Sequence, residues 1–268
     1  MSHDFFLNWQ DPEDRKWHPV AKLSRYQGSY IFAYTRGALV SKNFLPFGNM
    51  SDLNSVYVSP ELFPIFANRV MNERRPEFHR YAEWSGLADE RNIDPILLMA
   101  RMGGIRATDS LQVYSVPEPE IDGTYRTFFF SHGLRYMPEG AQVRTLHLLE
   151  GEQLYPMFDI QNPHDADAVA LRTSDPATIV GYCPRYLAKD VGKLASRIDN
   201  QLKIVIKRVN HDAPAQFRLL CEVTSRWPRD FRPCDDEDHT TIARFEREGL
   251  MRAVATQYRK SGMQANLW

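Results

Sequence analysis

The apolar positions of this 268-residue chain change period near residue 117. Before that point, short aromatic runs alternate with helical signals. Tyr30 to Tyr34 (YIFAY), bounded by Gly28 and Gly37, predicts a buried strand. A second strand is expected to lead into Phe44, Leu45, Pro46 and Phe47. Ser59-Pro60-Glu61 has the form of a helix start: a capping Ser, Pro at the first helical position and an acid in the first turn. The apolar residues Leu62, Phe63, Ile65, Phe66 and Val70 follow, with Pro64 tolerated in that first turn. Further helices are predicted from Pro76 to Trp84, stopped by Gly86, and from Asp94-Pro95 through Met102, stopped by Gly103-Gly104.

Two prolines, three acids and a glycine crowd the segment from Ser115 to Gly123 (SVPEPEIDG), which reads as a linker. The expected division is a module at 1–118, a linker at 119–123, a second domain at 124–237 and a helix at 238–268. Strand patterns dominate the second domain. They are Tyr125 to Ser131 (YRTFFFS), Leu154 to Ile160, Ala168 to Leu171, Thr178 to Val180, Lys203 to Val209 and Phe217 to Val223. One helix interrupts them, from Pro184 to Ile198, with Leu187, Val191, Leu194 and Ile198 on one face. The last segment, from Asp238 to Arg259, places Ile242, Phe245, Leu250 and Val254 on one side of a helix.

Composition adds limits. The hydrophobic fraction is 43%, with 12% aromatic and 25% charged residues, which excludes a largely disordered chain. Net charge is −1, so a uniformly basic surface is excluded while a local basic patch is not. Such a patch runs from Gly181 to His211, which holds seven Lys or Arg against two acids. The three cysteines, Cys183, Cys221 and Cys234, form no CxxC pair, so zinc-ribbon spacing is missing and a reducing compartment is expected. No apolar run approaches the ~18 residues of a membrane span, and the acidic start lacks the features of a signal peptide. A cytoplasmic location with no membrane partner is the expectation.

Catalytic signatures are absent. The chain contains no GxSxG, GxxxxGK[ST], GxGxxG or HExxH, and no two of its eight histidines stand within five positions. Catalytic residues, metal ligands and cofactors are therefore expected to be none. The acidic run CDDEDH, with Glu237 and Asp238, reads as a solvated loop or helix start, although a metal-dependent nuclease could use such acids.

One stretch rises above this background. Asn162-Pro163-His164-Asp165 has the chemistry of a turn, because Asn and Asp bond back to the backbone and Pro fixes φ. The strand Ala168-Val169-Ala170-Leu171 follows. Gly181-Tyr182-Cys183-Pro184-Arg185 then ends another strand and opens a helix through Leu187 and Ala188. Over about residues 124–210 this order resembles the HIRAN domain, whose first strand often carries an Arg followed by an aromatic residue. Gly133-Leu134-Arg135-Tyr136 stands at that place. The insert between Tyr136 and Asn162 is longer than in the eukaryotic members. The resemblance implies an OB-like β-barrel that binds single-stranded DNA and captures its 3′-hydroxyl end. Under that reading Tyr136, His164 and Tyr182 stack bases. Arg135, Arg185 at a helix start and Lys189 meet phosphates. Asp165 accepts the terminal hydroxyl and repels a terminal phosphate.

The N-terminal half resembles the small N-terminal subdomain of HipA-type kinases, on LNWQDPEDRKWHPVAKL, YIFAYTRGA, SPELFPIFANRV, DPILLMARMGG and TDSLQVY. That kinase's catalytic half is missing, so a protein-docking role is implied, with a HipB-like or HipA-kinase-like protein as partner. The expected fold class is α+β: a small mixed α/β module and an OB-like barrel with helices. The expected function is binding of single-stranded or end-bearing DNA. The alternatives are an antitoxin-like interaction protein without DNA binding, and a metal-dependent nuclease.

Overall fold

The structure, a computed structural model, describes residues 4–197 and 201–243. The described chain divides into two compact units. One contains the chain up to Met71, Gly103–Val116 and the segment from Asp235. The other contains Asn72–Met102 and Pro117–Cys234.

The first unit is built on an antiparallel sheet of five strands in the order β4-β3-β2-β1-β5. These are β1 (Phe5–Gln10), β2 (Trp17–Tyr26), β3 (Ser29–Tyr34), β4 (Val56–Ser59) and β5 (Leu111–Ser115). Gln27 and Gly28 both take positive φ, 46° and 77°, and join β2 to β3 with Tyr26 opposite Ser29. That is the two-residue turn whose twist matches paired strands. Phe5, Leu7, Leu23 and Phe32 are fully buried beneath it. A short helix, α1 (Pro64–Ala67), follows β4.

Two expectations fail in this unit. No strand leads into Phe44 to Phe47; a 3₁₀ turn, Arg36–Leu39, stands before them instead. Phe44 to Phe47 themselves belong to an irregular loop tied to the buried Tyr34, whose hydroxyl donates to Met50 O at 2.7 Å and accepts from Phe47 N at 2.7 Å. The helix expected from Ser59-Pro60 starts later, at Pro64, because Ser59 is still paired with Tyr30 as the last residue of β4. The acidic run is also accounted for. Asp236 caps the turn Glu237–His239, its carboxylate bonded to the His239 ring, while Glu237 pairs with Arg36 and Thr241 bridges to Thr35. Phe245, Leu250 and Val254 of the expected C-terminal helix lie outside the described residues.

The second unit holds α2 (Pro76–Trp84), α3 (Pro95–Arg101), α4 (Glu139–Leu146) and α5 (Arg185–Ala195). Its strands are β6 (Thr124–Phe130), β7 (Gln153–Phe158), β8 (Val169–Arg172), β9 (Ile179–Tyr182), β10 (Lys203–Val209) and β11 (Leu219–Arg226). They form an antiparallel sheet in the order β6-β11-β10-β7-β8-β9. The sheet curls into a half-barrel. Its edges meet where His132, just past β6, exchanges two 2.9 Å backbone hydrogen bonds with Tyr182. The apolar face of α5, with Leu187, Ala188, Val191 and Leu194, fills the core against Val169, Leu171, Ile204 and Leu219. Each such fully buried Leu, Val or Ile side chain is worth about 1.5–3 kcal/mol of transfer free energy.

The unit boundaries differ from the sequence expectation. The chain from Asn72 to Met102 goes with the half-barrel, because Trp84 packs with Phe130 and Leu220. Trp84 Nε1 also donates to Asp212 at 3.1 Å, and Asn210 Nδ2 donates to Trp84 O at 3.0 Å. Residues 235–243 go with the first sheet. No disulfide forms among the cysteines, and burial pushes the Cys183 and Cys221 thiols up. A thiol reagent on the native chain is therefore expected to label Cys234 alone, and all three cysteines in denaturant. Peptide mapping of the labelled chain checks this; fast native labelling at Cys183 would contradict the buried core around α5.

Candidate functional site

The loop between β7 and β8 and the junction between β9 and α5 meet at one end of the half-barrel. The loop is built from side-chain oxygens accepting backbone N–H groups. Asn162 Oδ1 accepts from His164 N at 3.0 Å and Asp165 N at 3.2 Å. Asp165 Oδ1 accepts from Asp167 N at 3.1 Å, and Asp159 N closes the loop on Ala168 O at 2.9 Å. This is the turn that Asn, Pro and Asp at 162, 163 and 165 predict.

Across from it, Arg185 occupies the first position of α5, after Pro184 at the cap. Its Nε donates to Asp165 Oδ2 at 3.2 Å, and its terminal amine donates to His164 O. Asp165 thus holds a backbone N–H on one oxygen and a guanidinium on the other. A carboxylate has about four acceptor positions, so two stay open for an incoming donor. The first turn of α5 also presents backbone N–H groups that lack a side-chain cap at Pro184.

Tyr182 is the third component. Its hydroxyl donates to Asp159 Oδ2 at 3.1 Å, and the same oxygen accepts from Asn162 Nδ2 at 3.1 Å. Burial first, and the Asp159 hydrogen bond second, raise the Tyr182 pKa. The ring is thereby fixed while remaining half-buried. Asp159 was not among the residues singled out from the sequence. It stands just past the end of β7, and its partner Tyr182 lies 23 positions further along the chain, so no local pattern marks it. Asn162→Ala is expected to cost about 1–2 kcal/mol, since it strips the acceptor from two loop N–H groups. Chemical denaturation checks this, and an unchanged midpoint would contradict the loop's dependence on Asn162.

Arg135 and Tyr136 occupy a different kind of structure from the one expected. They lie on a 3₁₀ turn, Leu134–Tyr136, beyond the end of β6 and not on a strand. Gly133 starts that turn with φ 74°, and the seam residue His132 immediately precedes it, so the turn lies beside β9. The Arg135 guanidinium sits 4.5 Å from the Tyr136 ring centroid and bonds to its hydroxyl, and the Tyr136 side chain is 72% exposed. Neither side chain bonds to the Asp165–Arg185 pair. His164 is exposed, and Lys189 lies exposed one turn after Arg185 on α5.

Among the described residues, the group able to hold a metal ion is Asp11, Asp14 and His18, with donor atoms within 4.8 Å of one another. It belongs to the other unit. Its Asp11 already accepts from Ser41, Asn43 and Glu13 N, and its Asp14 from Lys16 N. The Ser41 and Glu13 N–H hydrogen bonds help hold the Asp11 carboxyl down at about 2. No helix of the described residues is long and apolar enough to cross a membrane.

Residues 124–227 match the model of the HIRAN domain. Among solved structures, the HIRAN domain of human HLTF is 18% identical over 54% of this chain and 93% of that one, with a TM-score of 0.28. A protein from Lactobacillus plantarum is 15% identical over 38% of this chain and 97% of that one, with a TM-score of 0.30. No curated protein matches the chain.

Proposed function

We propose that the HIRAN domain at residues 124–227 binds single-stranded DNA and seats a 3′-hydroxyl end between Asp165, Arg185 and Tyr182. The observation that carries this reading is the Asp165–Arg185 pair at 3.2 Å beside a tyrosine held by Asp159. A strand end offers a hydroxyl donor, a phosphate and an unstacked base, and these three side chains complement them in turn. Asp165 keeps acceptor positions open for the hydroxyl. Arg185, with the N–H groups of the first turn of α5, suits the adjoining phosphate. The fixed Tyr182 ring suits the base, with Tyr136 and Arg135 on the neighbouring turn as a second stacking and cationic pair.

Binding of this kind depends on salt, because each neutralised phosphate releases counterions. Fluorescence anisotropy of a short single-stranded DNA over a salt series is expected to give a linear fall in log affinity. The slope is about −0.7 per phosphate contact for single strands. Absence of binding at low salt would remove this reading and favour the antitoxin-like one, in which the domain serves protein contacts only. Cleavage of the same DNA on adding Mg²⁺ or Mn²⁺ would favour the nuclease. In this proposal the N-terminal unit is a protein-docking element, on its resemblance to the HipA subdomain, and pull-down with a HipB-like or HipA-kinase-like protein tests it.

A further inference from the structure

The outer face of β7, β8 and β9 carries an uncommon set of side chains. The register places Met157 opposite Ala170 and Ala170 opposite Tyr182, and it places Tyr155 opposite Arg172. Cross-strand partners share a face, so Tyr155, Met157, Ala170, Arg172 and Tyr182 lie on one face, with Ala170 itself buried; the register shift between Ala170 and Arg172 is what puts Tyr182 on this face and Val180 on the other. The hydrogen bond from Tyr182 to Asp159 agrees with this, since it spans that surface from β9 to the end of β7. The face turned the other way belongs to the core, with Leu154, Val169, Leu171 and Val180.

A solvent-facing strand surface ordinarily alternates into polar residues. Here Tyr155 is 37% exposed and Met157 42% exposed. Arg172 lies over the Tyr155 ring, 5.3 Å from its centroid. This repeats the arrangement of Arg135 over Tyr136 on the turn after β6. An exposed aromatic ring paired with a guanidinium is the combination that stacks a base while meeting the neighbouring phosphate. From Tyr182 to Tyr155 the path crosses two strand spacings of ~4.8 Å and two residues of ~3.4 Å each, so roughly 12 Å in all. An extended single strand covers that distance in a few nucleotides.

We propose that Tyr155 and Arg172 form a second nucleotide subsite, which receives the DNA a few nucleotides upstream of the 3′ end and sets the strand's direction across Met157. The inference rests on the end-binding reading above and adds its polarity and footprint: the strand leaves the Asp165–Arg185 pair along β7 toward the start of that strand. Continuity with the end site through Met157 and Tyr182, together with the cation at Arg172, selects a nucleic acid as the occupant of this face.

The test is anisotropy of the full chain with 5′-labelled oligothymidylates of two and six nucleotides, each with a free 3′-hydroxyl. The six-nucleotide strand is expected to bind about tenfold tighter than the two-nucleotide strand. Tyr155→Ala and Arg172→Gln should each remove most of that gain while leaving two-nucleotide binding unchanged, which also serves as their folding control. Tyr155→Phe keeps the ring and should retain the gain. Equal affinity for the two lengths, or a gain that survives both substitutions, overturns the subsite and leaves the end site standing. Failure of the wild-type chain to bind either length overturns both.

Discussion

Gly181→Ala is expected to destabilise the half-barrel by about 3–5 kcal/mol, the combined scale of an alanine forced into positive φ and of overpacking against rigid backbone. Gly181 takes φ 120° on β9. A Cβ there would stand 2.7 Å from His132 O and closer still to Ser131 Oγ. Neither neighbour can move freely. Ser131 Oγ donates to Val180 O at 2.9 Å, and His132 is held by its pair of bonds to Tyr182. The methyl group would therefore open the seam at which the sheet's two edges meet. Against total stabilities of about 5–15 kcal/mol, the loss is a large fraction. A fall of roughly 10 °C in the melting temperature is expected for a unit of this size. Thermal denaturation followed by circular dichroism reads it, and a shift within about 2 °C would contradict the closed seam. DNA binding should weaken alongside, because Tyr182 and the turn bearing Arg135 and Tyr136 both take their positions from that seam.

Arg185→Ala is expected to weaken binding of a single-stranded 3′ end about tenfold or more, the scale of one charge-assisted contact of 1.5–3 kcal/mol. It should also reduce the salt slope by about 0.7, the share of one phosphate on single strands. Its effect on stability should be small. The Arg185 side chain is 35% exposed and the Asp165 side chain 18% exposed, and an ion pair at such a surface contributes about 0–1 kcal/mol. The contrast between a large loss in binding and a small loss in stability separates a ligand contact from a structural strut. Equal losses in both, or unchanged salt dependence, would place Arg185 in the loop's architecture alone.

Much of this fold can be read from local chemistry. Pro76 and Gly86 delimit α2, Asp94 caps α3 by accepting from Ile96 N at 2.9 Å, and the alternation of Lys203 to Val209 matches β10 residue for residue. The failures come where pairing partners far along the chain outrank local signals. Ser59 has the chemistry of a helix cap, yet its backbone is spent on β4 opposite Tyr30. The helix α4 went unforeseen because only Ala141 and Thr145 of its residues are buried, too few for an amphipathic stripe. The order of Asn72–Met102 along the chain gave no sign that Trp84 would pack under Phe130 and Leu220.

The site divides in the same way. The turn at Asn162 to Asp165 and the helix start at Arg185 are short-range features, visible in their own residues. Their meeting is not: Asp165 and Arg185 stand 20 positions apart and Asp159 and Tyr182 stand 23 apart. Both contacts depend on the register of β7 with β8 and of β8 with β9. The register also puts Tyr155 and Arg172 face to face, which neither residue's neighbours in sequence announce. Arg135 and Tyr136 were legible as a pair, but their placement on a 3₁₀ turn follows from Gly133 and the seam at His132.

The central claim is that Asp165 reads a terminal hydroxyl. The most direct measurement compares two single-stranded DNAs of identical sequence, one ending in a 3′-hydroxyl and one in a 3′-phosphate, by anisotropy with wild type and Asp165→Ala. The account predicts that wild type prefers the hydroxyl end, because a carboxylate accepts its proton and repels the phosphate, and that Asp165→Ala binds the two ends alike. Equal binding of both ends by wild type, or a preference that survives the loss of Asp165, would contradict it.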